Sequence, residues 1–225
     1  MRHLRLSGGR GRFDLLLLSV LWFLDLCLIA LHGFLGLRRA ADPAAPWPDF
    51  LNIARDASLP ELLGYAKWLA VVLCLRAAWR RRADPLLAAA ALVFLLALAD
   101  DSLRLHERSA DLLMALDLHL RHGPWIFPAG ELAVWGVLGV IALAVLARAL
   151  PRSSAEVRAL LLPQALLFLG VVFCAVVLDL VHGAAEDLSL VAGLLGIFED
   201  GGEMVFLSAM VAHAWPSFCR PAPAR

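Results

Sequence analysis

The chain contains the stretch LSLVAGLLGIFEDGGEMVFLSAMVAHA, residues 188–214, which carries Glu199, Asp200 and Glu203 near its middle. Each apolar flank alone is shorter than the about 20 residues that a membrane-crossing helix needs, but together they are long enough. An ionised carboxylate at the centre of a bilayer costs about 2.5–3.5 kcal/mol or more, so these acids require a cation, a donor, a proton or a water-filled cavity. We interpret the stretch as one continuous or slightly broken membrane span. The alternative is two short helices joined by a polar loop.

The composition of the whole chain indicates the same class of protein. Its 225 residues are 61% hydrophobic, and the mean hydropathy is +0.78. Soluble domains contain about 45–50% apolar residues, so the chain is predicted to be an integral membrane protein in contact with a lipid bilayer. The formal net charge is zero, which gives no electrostatic basis for binding nucleic acid.

The predicted fold class is all-α, a polytopic membrane helix bundle in a single domain that covers residues 1–225. Long apolar runs predict about six transmembrane helices. One amphipathic surface helix is predicted after the third of them, where leucines alternate with Asp111, Asp117 and Arg121 before Gly123 and Pro124. The predicted transmembrane helices cover residues 15–37, 59–77, 85–107, 131–150, 159–182 and 188–214.

The arginine distribution predicts the orientation. With the N-terminus inside, the inner segments hold about twice as many basic residues as the outer ones, which is typical of cytoplasmic loops. Both termini are therefore expected in the cytoplasm. Lys67 is the only lysine beside many arginines, and the chain is rich in Ala and Leu. This composition favours a bacterial origin, and hence the inner (cytoplasmic) membrane.

Ionisable side chains from several helices are expected at similar depths, in the outer half of the bilayer. Carboxylates with a few imidazoles suit hard divalent or iron-type ions, so zinc, iron and manganese are the candidate metals. In a metal-dependent enzyme, a metal-bound water would attack a lipid, a lipid-linked substrate or a small molecule, with Glu203 or Glu107 as the base. The candidate metal ligands are Asp100, His106, Glu107, His182, Glu199 and Glu203.

Two other functions fit the same residues. The first is a proton- or cation-coupled transporter that uses the buried acids. The second is a membrane subunit that binds heme between histidines such as His32, His106 and His182. His213 lies at the inner end of its span and is expected at the interface. The candidate ion-pair or proton-relay residues are Asp25, Lys67, Asp101, Asp179 and Asp200, and Asp25 has the structural alternative of simply pairing with Lys67.

Two segments together carry a resemblance: DDSLRLHE, residues 100–107, and EDGGEM, residues 199–204. The chain resembles a group of uncharacterised bacterial multi-pass membrane proteins with an acidic-pair, Leu-His-Glu segment and a later acidic-pair-Gly segment. The resemblance implies that the two segments belong to one site. The chain is also similar to alkaline ceramidase-like and progestin-receptor-like membrane hydrolases, in which Asp, Ser and His lie near one membrane face around zinc. It lacks their late His-x-x-x-His pair, and six helices are predicted where they have seven.

Overall fold

The structure is a computed structural model that describes residues 13–116, 126–185 and 189–219; the side chains of 126–128 and 189 are outside this description. The all-α class is confirmed, since these residues form helices and no strand. The helices are α1 (Leu15–Ala41), α2 (Leu59–Arg82), α3 (Pro85–Leu103), α4 (Leu105–Ala115), α5 (Ile126–Ala149), α6 (Ala155–Ala184) and α7 (Ser189–Ala214).

Five of these helices, α1, α2, α3, α5 and α6, are long and apolar enough to cross a membrane. Large apolar side chains such as Phe23 and Leu143 are two-thirds exposed on them, as expected for surfaces that face lipid. α7 has 26 residues, which is sufficient length, but its three central acids lower its apolar character. The sixth span therefore stays a prediction. The chain is an integral membrane protein.

The chain divides into two compact units. The first consists of Met1–Val71 with Ala159–Arg225, and the second is Val72–Arg158. The first unit contains α1, most of α6 and all of α7. The second contains α3, α4 and α5.

In the second unit, the predicted helix over residues 85–107 is interrupted. Arg104 adopts the left-handed conformation (φ 52°, ψ 48°), which ends α3 and starts α4. The amphipathic helix α4 then packs closely on α5. The close packing is shown at Gly130 on α5, where an added Cβ atom would lie 2.7 Å from the Cα atom of Ala110 on α4. Asp117 and Arg121 of the predicted surface helix lie outside the described residues.

In the first unit, α6 contains a π-helical segment over Phe173–Leu178. The segment begins after Val172 and leads directly into the last α-helical turns, Asp179–Ala184. π-helical turns are rare and are frequent at functional sites. This one lies immediately before Asp179 and His182, two of the predicted site residues.

A buried ion pair connects three helices of the first unit. Lys67 Nζ on α2 donates to Asp25 Oδ1 on α1 at 2.6 Å and to the carbonyl oxygen of Met204 on α7 at 3.2 Å. Ser208 Oγ on α7 donates to Asp25 Oδ2 at 2.6 Å. Asp25 is 1% exposed and Lys67 is 6% exposed. Each charge is thus neutralised and hydrogen bonded, which burial at this depth requires.

In the second unit, Asp84 connects two loops. Its Oδ1 caps α3 by accepting from the backbone nitrogen of Leu86 at 2.9 Å. Its Oδ2 accepts from Ser153 Oγ at 3.1 Å and from the backbone nitrogen of Ser154 at 3.0 Å. Burial disfavours the charged form of this carboxyl, but the hydrogen bonds from Ser154, Leu86 and Ser153 outweigh it, so the pKa of Asp84 is lowered.

Removing one member of the Asp25–Lys67 pair leaves a buried charge without its partner. We expect Lys67→Met or Asp25→Asn to lower the free energy of unfolding by about 3–5 kcal/mol. The double change Asp25→Leu with Lys67→Met removes both charges and is expected to cost less than either single change. Thermal and denaturant unfolding of detergent-purified protein measures these values. The matched control is Asp49→Asn in the exposed Asp49–Arg55 pair (3.7 Å), with an expected change of about 0.5 kcal/mol or less. A double variant as unstable as the sum of the singles would contradict the ion-pair argument.

Asp84→Ala removes a helix cap and two further hydrogen bonds, so we expect it to lower stability by about 1–3 kcal/mol near neutral pH. Asp84→Asn keeps a good capping side chain and is expected to cost less. Because the folded-state pKa of Asp84 is lowered, its contribution is present above the ordinary carboxyl pKa and is lost as the pH falls through the lowered value. Unfolding midpoints of wild type and Asp84→Ala should therefore converge in acid. A difference between the two midpoints that is constant with pH would contradict this.

Candidate functional site

The predicted acids of α7 meet α6 along one face, which we call the α6–α7 seam. It consists of His182, Cys174, Gly170 and Gln164 on α6, facing Glu199, Gly202, Phe206 and His213 on α7. Glu199, Phe206 and His213 are seven residues apart in succession, a spacing that places them on one helix face. The helices are close near the π-helical segment, where a Cβ atom on Gly202 would lie 2.6 Å from Cys174 Sγ.

One end of the seam holds an acid–imidazole cluster, formed by Asp179, His182 and Glu199. His182 Nδ1 lies 2.8 Å from Glu199 Oε2. The side chain of Glu199 is 16% exposed and that of His182 is 35% exposed. Asp179 is close enough to Glu199 to interact with it electrostatically.

Two further predicted acids lie beside this cluster. Asp200 is half-buried and close enough to interact electrostatically with Glu199 and Asp179. Glu203 is one turn beyond Glu199, and it interacts electrostatically with Cys174. Five ionisable side chains of α6 and α7 are therefore neighbours in a region flanked by apolar residues. Glu186, which follows the cluster in the sequence, lies outside the described residues.

The second unit holds a different histidine site. The 7% exposed Asp100 accepts from the backbone nitrogen of His106 at 3.2 Å and lies 3.1 Å from His106 Nδ1. Trp135 Nε1 on α5 donates to the same carboxylate at 3.2 Å. The left-handed Arg104 turn makes this possible, because it folds α4 back so that His106 reaches Asp100 near the end of α3.

Two more acids, Glu107 and Glu131, interact electrostatically with the imidazole of His106. Glu107 Oε1 lies 3.8 Å from His106 Nε2, while the other Glu107 oxygen accepts from Arg104 Nε at 2.9 Å. Burial disfavours the imidazolium, but the hydrogen bond to Asp100 and the charges of Asp100, Glu107 and Glu131 outweigh it. The pKa of His106 is therefore raised. Asp101 is half-buried on α3 next to Asp100.

The six predicted metal ligands thus fall into two sets, one in each unit: Glu199, Glu203 and His182, and Asp100, His106 and Glu107. Within the described ranges, no group of three or more His, Cys, Asp or Glu side chains is arranged to hold a metal ion. Metal binding and its cofactor assignments stay predictions. Asp25 on α1 and Lys67 on α2 form the buried ion pair. This pair contacts the side of α7 that is opposite to Glu199.

Three polar residues that contribute to these sites were not found by sequence analysis. They are Trp135, Gln164 and Ser208, each of which hydrogen bonds to a buried ionisable side chain. Gln164 and Ser208 each interrupt an apolar run, which is their signal in the sequence, whereas Trp135 is itself an apolar residue type and gives no such signal. His213 is fully buried within the protein against Gln164, and its expected position at the membrane interface stays a prediction. His32 accepts from the backbone nitrogen of Ile53 at 3.4 Å and packs edge-on against Trp47.

Comparison with known proteins assigns the chain to a family. No curated protein and no solved structure matches it significantly. A bacterial origin, the inner membrane and cytoplasmic termini stay predictions. One family model matches, and it covers residues 16–215, which include every candidate site residue. The chain therefore belongs to the family described as Domain of unknown function (DUF8692).

Proposed function

We propose that this membrane protein transports protons, or a solute coupled to protons, and that Asp179, His182 and Glu199 bind the transported proton. The observation that carries the proposal is the 2.8 Å contact between His182 Nδ1 on α6 and Glu199 Oε2 on α7. Ionisable residues within membrane segments mark ion pathways and proton relays. Imidazole and carboxyl groups in direct contact can exchange a proton without moving their backbones.

Two features of the cluster support this role. Asp179 interacts electrostatically with Glu199 and adds a second carboxyl group that can take up the proton. His182 is about one-third exposed, so other parts of the protein do not enclose the cluster completely. By contrast, the Asp25–Lys67 pair is buried, and Lys67 donates to Asp25 and to the Met204 carbonyl oxygen, as expected for a structural element. This contrast supports assigning proton exchange to the cluster and a structural role to the ion pair.

Proton flux tests the proposal. Purified protein is reconstituted in liposomes that contain a pH-sensitive dye, and flux is measured after a pH jump. We expect wild-type flux above that of empty liposomes and a loss of about tenfold or more in Glu199→Gln, because the amide cannot take up the proton. The matched control is Glu156→Gln, which changes an exposed glutamate in the second unit and should leave the flux unchanged. Equal flux in wild type and Glu199→Gln would refute the role of the cluster.

A second candidate function is binding of a divalent metal at His106. The observation that favours it is the position of His106, whose Nδ1 contacts Asp100 while Nε2 faces Glu107 at 3.8 Å. A carboxylate on one ring nitrogen commonly orients a histidine whose other nitrogen binds a metal.

Elemental analysis of detergent-purified protein tests this candidate. If the site binds metal, zinc, iron or manganese should be near stoichiometric in wild type and lost in His106→Ala and Glu107→Ala. His182→Ala, which changes the histidine of the other unit, separates this site from the α6–α7 cluster. Metal content that is unchanged in His106→Ala, or absent from wild type, would rule out the His106 site.

A further inference from the structure

The α6–α7 seam has a second polar end, formed by Gln164 and His213. Both side chains are fully buried, and His213 Nδ1 lies 2.8 Å from Gln164 Oε1. The rings of Phe13 and Phe218 pack on the imidazole, with centroids 5.1 Å and 5.7 Å away. His213 is 14 residues beyond Glu199, which corresponds to about 21 Å along a helix. The two polar ends therefore lie at different depths of a hydrocarbon layer that is about 30 Å thick.

Two atoms of this pair have no hydrogen-bond partner among the residues that the structure describes: Gln164 Nε2 and His213 Nε2. Because Nδ1 donates to the amide oxygen, Nε2 of a neutral His213 is an acceptor, and Gln164 Nε2 is a donor. Leaving such a buried group unpaired costs about 1–3 kcal/mol. Water can satisfy both groups, since it donates to one and accepts from the other, and buried water commonly serves unpaired polar groups.

The middle of the seam is apolar and separates the two ends. The Phe206 ring lies directly on Gly170, where an added Cβ atom would be 2.5 Å from the ring. Cys174 contacts Gly202 one turn further along. The Gln164–His213 pair is therefore a separate site and not an extension of the acid–imidazole cluster.

We propose that Gln164 and His213 form a hydrated proton-binding site, the second station of a proton path whose first station is the Asp179–His182–Glu199 cluster. The proposal rests on the proposed function and adds the other side of the path. Proton passage between the stations requires water to pass the Phe206 ring, which packs on Gly170. Gln164 holds the imidazole orientation so that Nε2 faces the water.

The proton balance at this station is simple. His213 Nε2 takes one proton from a protonated water and becomes an imidazolium, with its Nδ1 proton still donated to Gln164. His213 then returns that proton from Nε2 to a water molecule further along the path. The ring ends in its original state, and no oxidant or other reactant is needed.

The test uses the same liposome assay on the full chain, with His213→Asn and Gln164→Met. Asparagine keeps an amide that can donate to Gln164 but has no counterpart of Nε2, whereas methionine keeps the volume of Gln164 without its polar atoms. We expect flux to fall by about tenfold in each variant. His32→Asn is the matched control, since this histidine lies outside the seam, and its flux should equal that of wild type. Gel filtration and thermal unfolding show which variants are folded, and either folded variant decides the test.

The outcomes separate the two proposals. Flux that is lost in Glu199→Gln but unchanged in His213→Asn or Gln164→Met would overturn the second station and leave the first intact. Wild-type flux no higher than that of empty liposomes would overturn both. Loss of flux in Glu199→Gln and in the folded seam variants, with normal flux in His32→Asn, would establish a path with two stations.

Discussion

The Asp25–Lys67 ion pair is the interaction on which the first unit depends. Burying a lysine among apolar helices requires that its charge is paired and hydrogen bonded. Here Asp25 pairs with the charge of Lys67, and both Asp25 and the Met204 carbonyl oxygen accept hydrogen bonds from it. Ser208 adds the remaining contact to Asp25. Because Ser208 and Glu199 are nine residues apart, they lie on opposite sides of α7. Fixing one side of α7 to α1 and α2 therefore directs the acids toward α6.

Much of the fold could be predicted from the sequence because membrane helices are set by long apolar runs. The starts of α1, α2 and α3 agree with the prediction, since Asp14, Pro60 and Pro85 mark them locally. The predicted third helix was too long because nothing in the sequence identifies Arg104 as a left-handed residue. The start of α5 also differs from the prediction, because the helix begins at Ile126 and the predicted span begins at residue 131.

The site was harder to predict, for a physical reason. Hydropathy gives the depth of a residue in the bilayer but not the rotation of its helix. On the basis of depth, the sequence analysis places His106 with His182 and Glu199. In the structure, His106 instead contacts Asp100 and the ring of Trp135. The pairing of Gln164 with His213 depends on helix rotation as well, so it could not be predicted from depth. Which charges lie at similar depth was predictable, but which of them touch was not.

The π-helical segment makes the length of α6 critical in a way that an ordinary helix would not be. Each residue of a regular helix turns the chain by about 100°, and a π-helical turn contains an additional residue. The segment thus sets the rotational phase of Asp179 and His182 relative to Gln164, which precedes it. Losing one residue there would turn the acid–imidazole cluster away from Glu199 and leave Gln164 facing His213. The π-helical turn therefore sets the relative rotation of the two ends of α6, so that both ends contact α7.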